Sequence, residues 1–201
     1  MIDVNSFDKL RIRLLAKLKT NESQAGDKHF SRDFMKLIEL AVFSLLHKSD
    51  NFFGNCIMQM RREIRFDLPC AMDICAGLTC FNIYFNPLML LNCSLPEIKA
   101  EIKHQIFHIL HLHFSRADSL QKQYSPVVLN LAMDIAVNQF IEDLPSWQWT
   151  IRKANSELGI NLPENQTLET YCRIIQDGLE NRYESTRSAN NSFGQQDTNK
   201  S

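Results

Sequence analysis

Apolar positions along this chain recur with two different periods, and each change of period marks an expected element. Over residues 6–19, Leu10, Leu14, Leu15 and Leu18 fall at helical spacing with lysines and arginines between them, which predicts a short helix docked on the body. A polar stretch follows over 20–28. Ser31 is then a candidate cap for a second helix, whose Phe34, Leu37, Ile38, Ala41, Leu45 and Leu46 form one stripe suited to packing on a sheet. From 56 to 66 the period becomes two, with Cys56, Met58, Met60, Ile64 and Phe66 on one side, the pattern of a half-buried strand. Two more strands are expected over 71–75 and 79–85, around Gly77. Asn86 and Pro87 end the second, because the residue before proline leans extended and proline has no N–H for a ladder.

The rest of the chain reads as helices. Ser94 opens a capping box with Glu97 three residues on and Pro96 in the first turn, predicting a helix over 95–114. Ser125 followed by Pro126 starts another, running to about 141. A loop with Trp147 and Trp149 comes next, and Thr167 caps a last helix to about 183. The polar residues 184–201 are expected to lack fixed structure. The organisation read from the sequence is therefore an N-terminal helix and linker over 1–28, a body over 29–183, and a tail over 184–201.

Charge removes whole classes of partner. With 22 basic and 23 acidic residues the net charge is -1, which leaves no electrostatic footprint for a nucleic-acid backbone or an anionic membrane. No apolar run reaches membrane-spanning length, and the N-terminal stretch has charges scattered through it and does not read as a signal peptide. A cytoplasmic location is expected, with the six cysteines reduced and serving as small core residues. Cys70, Cys75 and Cys80, five apart, do not match common zinc-knuckle spacing.

Candidate chemistry concentrates in "HQIFHILHLHF", residues 104–114, which holds four of the six histidines. At about 100° per residue, His104, His108 and His111 lie within roughly 60° of one another on a helix, whereas His113 points nearly the opposite way. His104 and His108, one turn apart, can converge on a single ion. His111 sits a rise of roughly 10 Å beyond His104, too far to share it on a straight helix. The helix is otherwise apolar nearly all round, so it should be buried, and buried imidazoles need partners or a metal. For a lone His-x-x-x-His the ordinary reading is a hydrogen-bonded core. The next helix shifts that balance: in "NLAMDIAVNQFI", Asn130, Asp134 and Asn138 form a polar stripe spaced by four. Asp134 can complete a two-histidine, one-carboxylate site, for which zinc is the best-suited ion, with Asn138 and Asn130 around it.

The succession "YFNPLML", "LPEIKAEIKHQIFHILHLHFSR" and "LAMDIAVNQFIEDL" resembles a metallopeptidase domain found in bacteria and some of their viruses ahead of a von Willebrand factor A-like domain. The resemblance spans about residues 34–176. It implies an α+β, zincin-like fold: a small mixed or antiparallel sheet packed on helices, with a buried active-site helix and a second helix contributing to the metal site. Position by position it matches His104 and His108 to the two motif histidines, His113 to a trailing histidine, Arg116 to an arginine, and Asp134 and Asn138 to the later pair. Asp134 ranks above His113 as third ligand on an unbroken helix; a break near 110–112 would reverse that ranking. A separately encoded von Willebrand-like or AAA ATPase partner is a further implication of the family analogy.

One departure bears directly on chemistry. The family's motif has glutamate after the first histidine, and this chain has Gln105. That glutamate takes the proton of the attacking water and passes it to the leaving amine. An amide cannot, and loss of a general base costs roughly 10²–10⁴-fold. The leading expectation is a zinc-binding, peptidase-like protein with impaired catalysis, holding a peptide or protein segment in a groove beside the strand at 79–85. The alternatives are an active hydrolase with a non-standard base such as Glu101, and a metal-free interaction protein whose histidines form a hydrogen-bonded core.

Overall fold

A computed structural model describes residues 4–20 and 27–193. In chain order the elements are α1 (Val4–Lys19), α2 (Lys28–Leu45), a 3₁₀ turn (Lys48–Asp50), α3 (Asn51–Met58), β1 (Arg61–Ile64), β2 (Met72–Ala76) and β3 (Phe81–Phe85). They continue with α4 (Pro87–Leu90), α5 (Leu95–Leu110), α6 (His113–Leu120), α7 (Pro126–Asn138), α8 (Ile151–Leu158) and α9 (Leu168–Phe193). The fold is α+β, with one small mixed sheet among the described residues. Two compact units result: Met1–His111 with Ile141–Trp147, and Leu112–Phe140 with Gln148–Ser201.

The first unit holds the sheet, in the order β1-β3-β2. β3 pairs parallel with β1 and antiparallel with β2, Ile74 standing opposite Ile83 and Met72 opposite Phe85. The buried side chains of Met72, Ile83 and Phe85 join Phe30, Phe34, Leu37 and Ile38 of α2 and Ile98, Ile102 and Ile106 of α5 in one core, into which α1 sends Phe7 and Leu14. Burying an aliphatic or aromatic side chain of this size contributes about 1.5–3 kcal/mol each, so this face fixes where α5 lies. The second unit is built on α7 and α9, where Ile135, Ala132, Tyr171, Cys172 and Ile175 are buried together. Tyr171 donates its hydroxyl to the Pro163 carbonyl at 2.9 Å.

Several boundaries differ from the sequence reading. Cys56 and Met58 belong to α3 and not to a strand, since Ile57 is the residue that points inward and only 61–64 are extended. α2 starts earlier than Ser31, because the Asp27 carboxylate accepts the His29 N–H at 2.8 Å and caps it there. α4 and α8 were not read from the sequence; Asn86 caps the first and Thr150 the second. α9 runs to Phe193, past the expected end near 183, in a stretch with no proline or glycine until Gly194. Residues 194–201 of the expected tail lie outside the described residues.

The strand at 79–85 is not a sheet edge. β1 and β2 occupy both of its sides, so its backbone groups are spent and a peptide cannot add to it directly. The outer strands of this sheet are β1 and β2.

Candidate metal centre

The start of α5 is fixed by the reciprocal cap expected from the sequence. Ser94 donates its backbone N–H to Glu97 Oε2 at 2.7 Å, and its hydroxyl oxygen accepts the Glu97 N–H at 3.4 Å. With Ile98, Ile102 and Ile106 held in the core, the helical period turns Glu101, His104, Gln105 and His108 to another face, and all four are buried. Imidazoles withdrawn from water need hydrogen-bond or metal partners.

His104 and His108 meet that need through each other. Their Nε2 atoms lie 3.0 Å apart and the rings stand at 68° with centroids 4.5 Å apart. One ring donates N–H and the other accepts, the same two atoms that would bind a cation. Two nitrogens on a tetrahedral ion at about 2.0–2.1 Å would be about 3.3 Å apart, so the pair needs to open by only a few tenths of an ångström. A pair of imidazole nitrogens suits a transition-metal ion. Asp134, on α7 in the second unit, is half-buried.

The expected unbroken helix over 95–114 is in fact two helices. α5 closes at Leu110, Leu112 takes a left-handed conformation (φ 54, ψ 34), and α6 restarts at His113. The break that would favour His113 as third ligand therefore exists. His113 is fully buried at the first position of α6, and Asp134 is half-buried on α7.

The surrounding polar residues divide by location. Asn138 is buried, and its amide donates to the Trp149 carbonyl at 2.7 Å and to Gln148 Oε1 at 3.3 Å, tying down the loop with the tryptophans. Asn130 is exposed, so the stripe on α7 is not buried throughout: its N-terminal end faces solvent. Arg116 binds Glu169 through two nitrogens, at 2.6 and 3.1 Å, and that guanidinium holds the Glu169 carboxyl below the usual glutamate range. This joins α6 to the first turn of α9.

Gln105 has a partner that no motif signals. Its Nε2 donates to the backbone carbonyl of Met72 in β2 at 3.1 Å, across 33 residues of sequence. Only the tertiary contact between α5 and β2 makes this bond. Glu101, one turn before Gln105, acts electrostatically on Cys93: burial first, and the Glu101 charge second, push that thiol up to about 12. Burial likewise pushes Cys172 up to about 11. Both thiols stay protonated near neutrality and do not offer thiolate ligands. None of the six cysteines is in a disulfide.

A family model described as "Putative metallopeptidase domain" matches residues 41–198 of the 201. No curated protein and no solved structure matches the chain.

Proposed function

Because the chain belongs to that metallopeptidase-domain family, we propose that it is a zinc-binding, peptidase-like protein whose hydrolytic capacity is impaired. His104, His108 and Asp134 would hold the ion. The observation that carries this reading is the approach of the His104 and His108 Nε2 atoms to 3.0 Å on the face of α5 turned away from the core, in a chain of that family. An ion bound there would supply Lewis-acid polarisation of a substrate carbonyl.

Every other step falls to side chains of this chain, and Gln105 is the one that limits them. A carboxylate at that position would accept a proton from the attacking water and return it to the leaving amine; the amide does neither. Its side-chain amide donates to the Met72 carbonyl. We therefore assign the protein a binding role towards a peptide or protein segment, with hydrolysis reduced by roughly 10²–10⁴-fold relative to a site with a general base. A separately encoded von Willebrand-like or AAA ATPase partner is the wider association that the family suggests.

Among the described residues no helix is long and apolar enough to cross a membrane. Six cysteines carried as thiols suit a reducing compartment, and we assign the cytoplasm.

The test is metal content after purification without chelator, by elemental mass spectrometry, for the native chain and for His108→Ala. About one zinc per chain, lost in the variant, is the expected result. No metal in either protein after zinc is supplied would overturn the reading and leave His104 and His108 as a hydrogen-bonded pair in a metal-free binding protein.

A further inference from the structure

The hydrogen bond from Gln105 to Met72 carries an inference of its own. β2 is an outer strand, and its ladder bonds to β3 can be phased from the two that flank it. Asn86 donates to the Ala71 carbonyl at 2.9 Å, and Gly77 donates to the Cys80 carbonyl at 3.0 Å. In an antiparallel pair the bonded positions alternate, so Ala71, Asp73, Cys75 and Gly77 face β3, while Met72, Ile74 and Ala76 turn their backbone groups to the outer edge. The Met72 carbonyl that Gln105 reaches is thus an edge acceptor. The next edge group, the Ile74 N–H, is also taken: it donates to Asp73 Oδ1 at 2.9 Å.

We propose that Gln105 is a positioning residue: its side-chain amide fastens the histidine helix to the outer edge of β2 and, together with Asp73, closes that edge to an added strand over Met72–Ile74. The role requires a donor. A carboxylate of the same length would bring an acceptor against an acceptor, so the glutamine is a strut that this chain uses and not merely a lost base. The strut is one residue from His104, hence its bearing on the metal, and that bearing rests on the function proposed above. The edge contact itself does not.

A neutral, apolar side chain of similar length isolates the lost donor. In metal-free protein, Gln105→Met should speed amide hydrogen exchange at Asp73, which shares a peptide group with the Met72 carbonyl, by about tenfold. In the same variant the affinity for Co²⁺, read from its visible absorption, should fall by about tenfold, in the range typical of groups that orient metal ligands. Unchanged exchange at Asp73 in a folded variant would overturn the strut. Faster exchange with unchanged Co²⁺ affinity would overturn its role in orienting the histidines. If the native chain takes up no Co²⁺ at all, the metal reading fails while the exchange data still decide the edge contact. Should the variant not fold, the native protein answers: in a ¹⁵N spectrum the Gln105 side-chain amide should carry one proton protected from exchange, and two rapidly exchanging protons would overturn the proposal.

Discussion

The Nε2 atoms of His104 and His108 face each other at 3.0 Å, one helical turn apart, on the buried flank of α5. The ring atoms that would bind are already converged, and the helix that carries them is held by three isoleucines on its opposite flank. Pre-placement of this kind reduces what must be reorganised on binding.

Asp134 and His113 make different predictions for the third ligand. Asp134→Ala should weaken zinc or Co²⁺ binding by more than the roughly 10–100-fold typical of outer-shell changes, with little loss of thermal stability, since Asp134 is only half-buried. His113→Ala should do the reverse: its side chain is fully buried, so the unfolding midpoint drops while metal stoichiometry stays near one. Titration of both variants with Co²⁺, alongside thermal melts, separates the two.

Replacing Gln105 by glutamate should exchange stability for chemistry. The carboxylate cannot rest on the Met72 carbonyl, so the bond at 3.1 Å is lost and about 1 kcal/mol or more of stability with it. Released from that contact, it becomes available as a base. Peptide hydrolysis by Gln105→Glu should exceed that of the native chain by at least about tenfold, within the range for a restored general base. A fluorogenic peptide assay paired with chemical denaturation reads both, and a variant that is as stable as the native chain and equally inactive would contradict the expectation.

Leu112 offers a gain in stability. A leucine at φ 54 sits in the region where its Cβ crowds the following carbonyl, at a cost of about 1–2 kcal/mol. Its side chain is 64% exposed, so little burial is at stake. Leu112→Gly removes the crowding and gives back some of that gain as unfolded-state entropy, leaving a net stabilisation of about 0.5–1 kcal/mol. Denaturant titration should show a higher midpoint with an unchanged slope.

The Arg116–Glu169 pair should leave a trace in the acid limb of stability. Its arginine holds the folded Glu169 carboxyl below the value it has in the unfolded chain. The contribution is therefore present above the unfolded value and disappears as pH falls through the folded one. The pair is partly exposed, so the effect is about 0.5 kcal/mol. Glu169→Gln should flatten the stability profile below the usual carboxylate range and leave its shape near neutrality unchanged.

Much of what positions the site follows from local rules legible along the chain. Ser94 and Glu97 announced the start of α5, Ser125 and Pro126 that of α7, and the spacing of His104 and His108 placed both imidazoles on one flank, because caps and helical period depend only on near neighbours along the chain. The stripe through Asp134 was visible for the same reason. Tertiary structure alone decided the rest. Alternation at 56, 58 and 60 looked like a strand until the burial of Ile57 made it a helix. Strand order could not be read from three short apolar runs, and it put β3 in the centre and left β2 outside. The left-handed turn at Leu112 broke a helix with no glycine or proline to mark it. Gln105 read as a vacated base from its motif; its bond to Met72 depends on two segments 33 residues apart being pressed together by the core, a contact that no local pattern encodes.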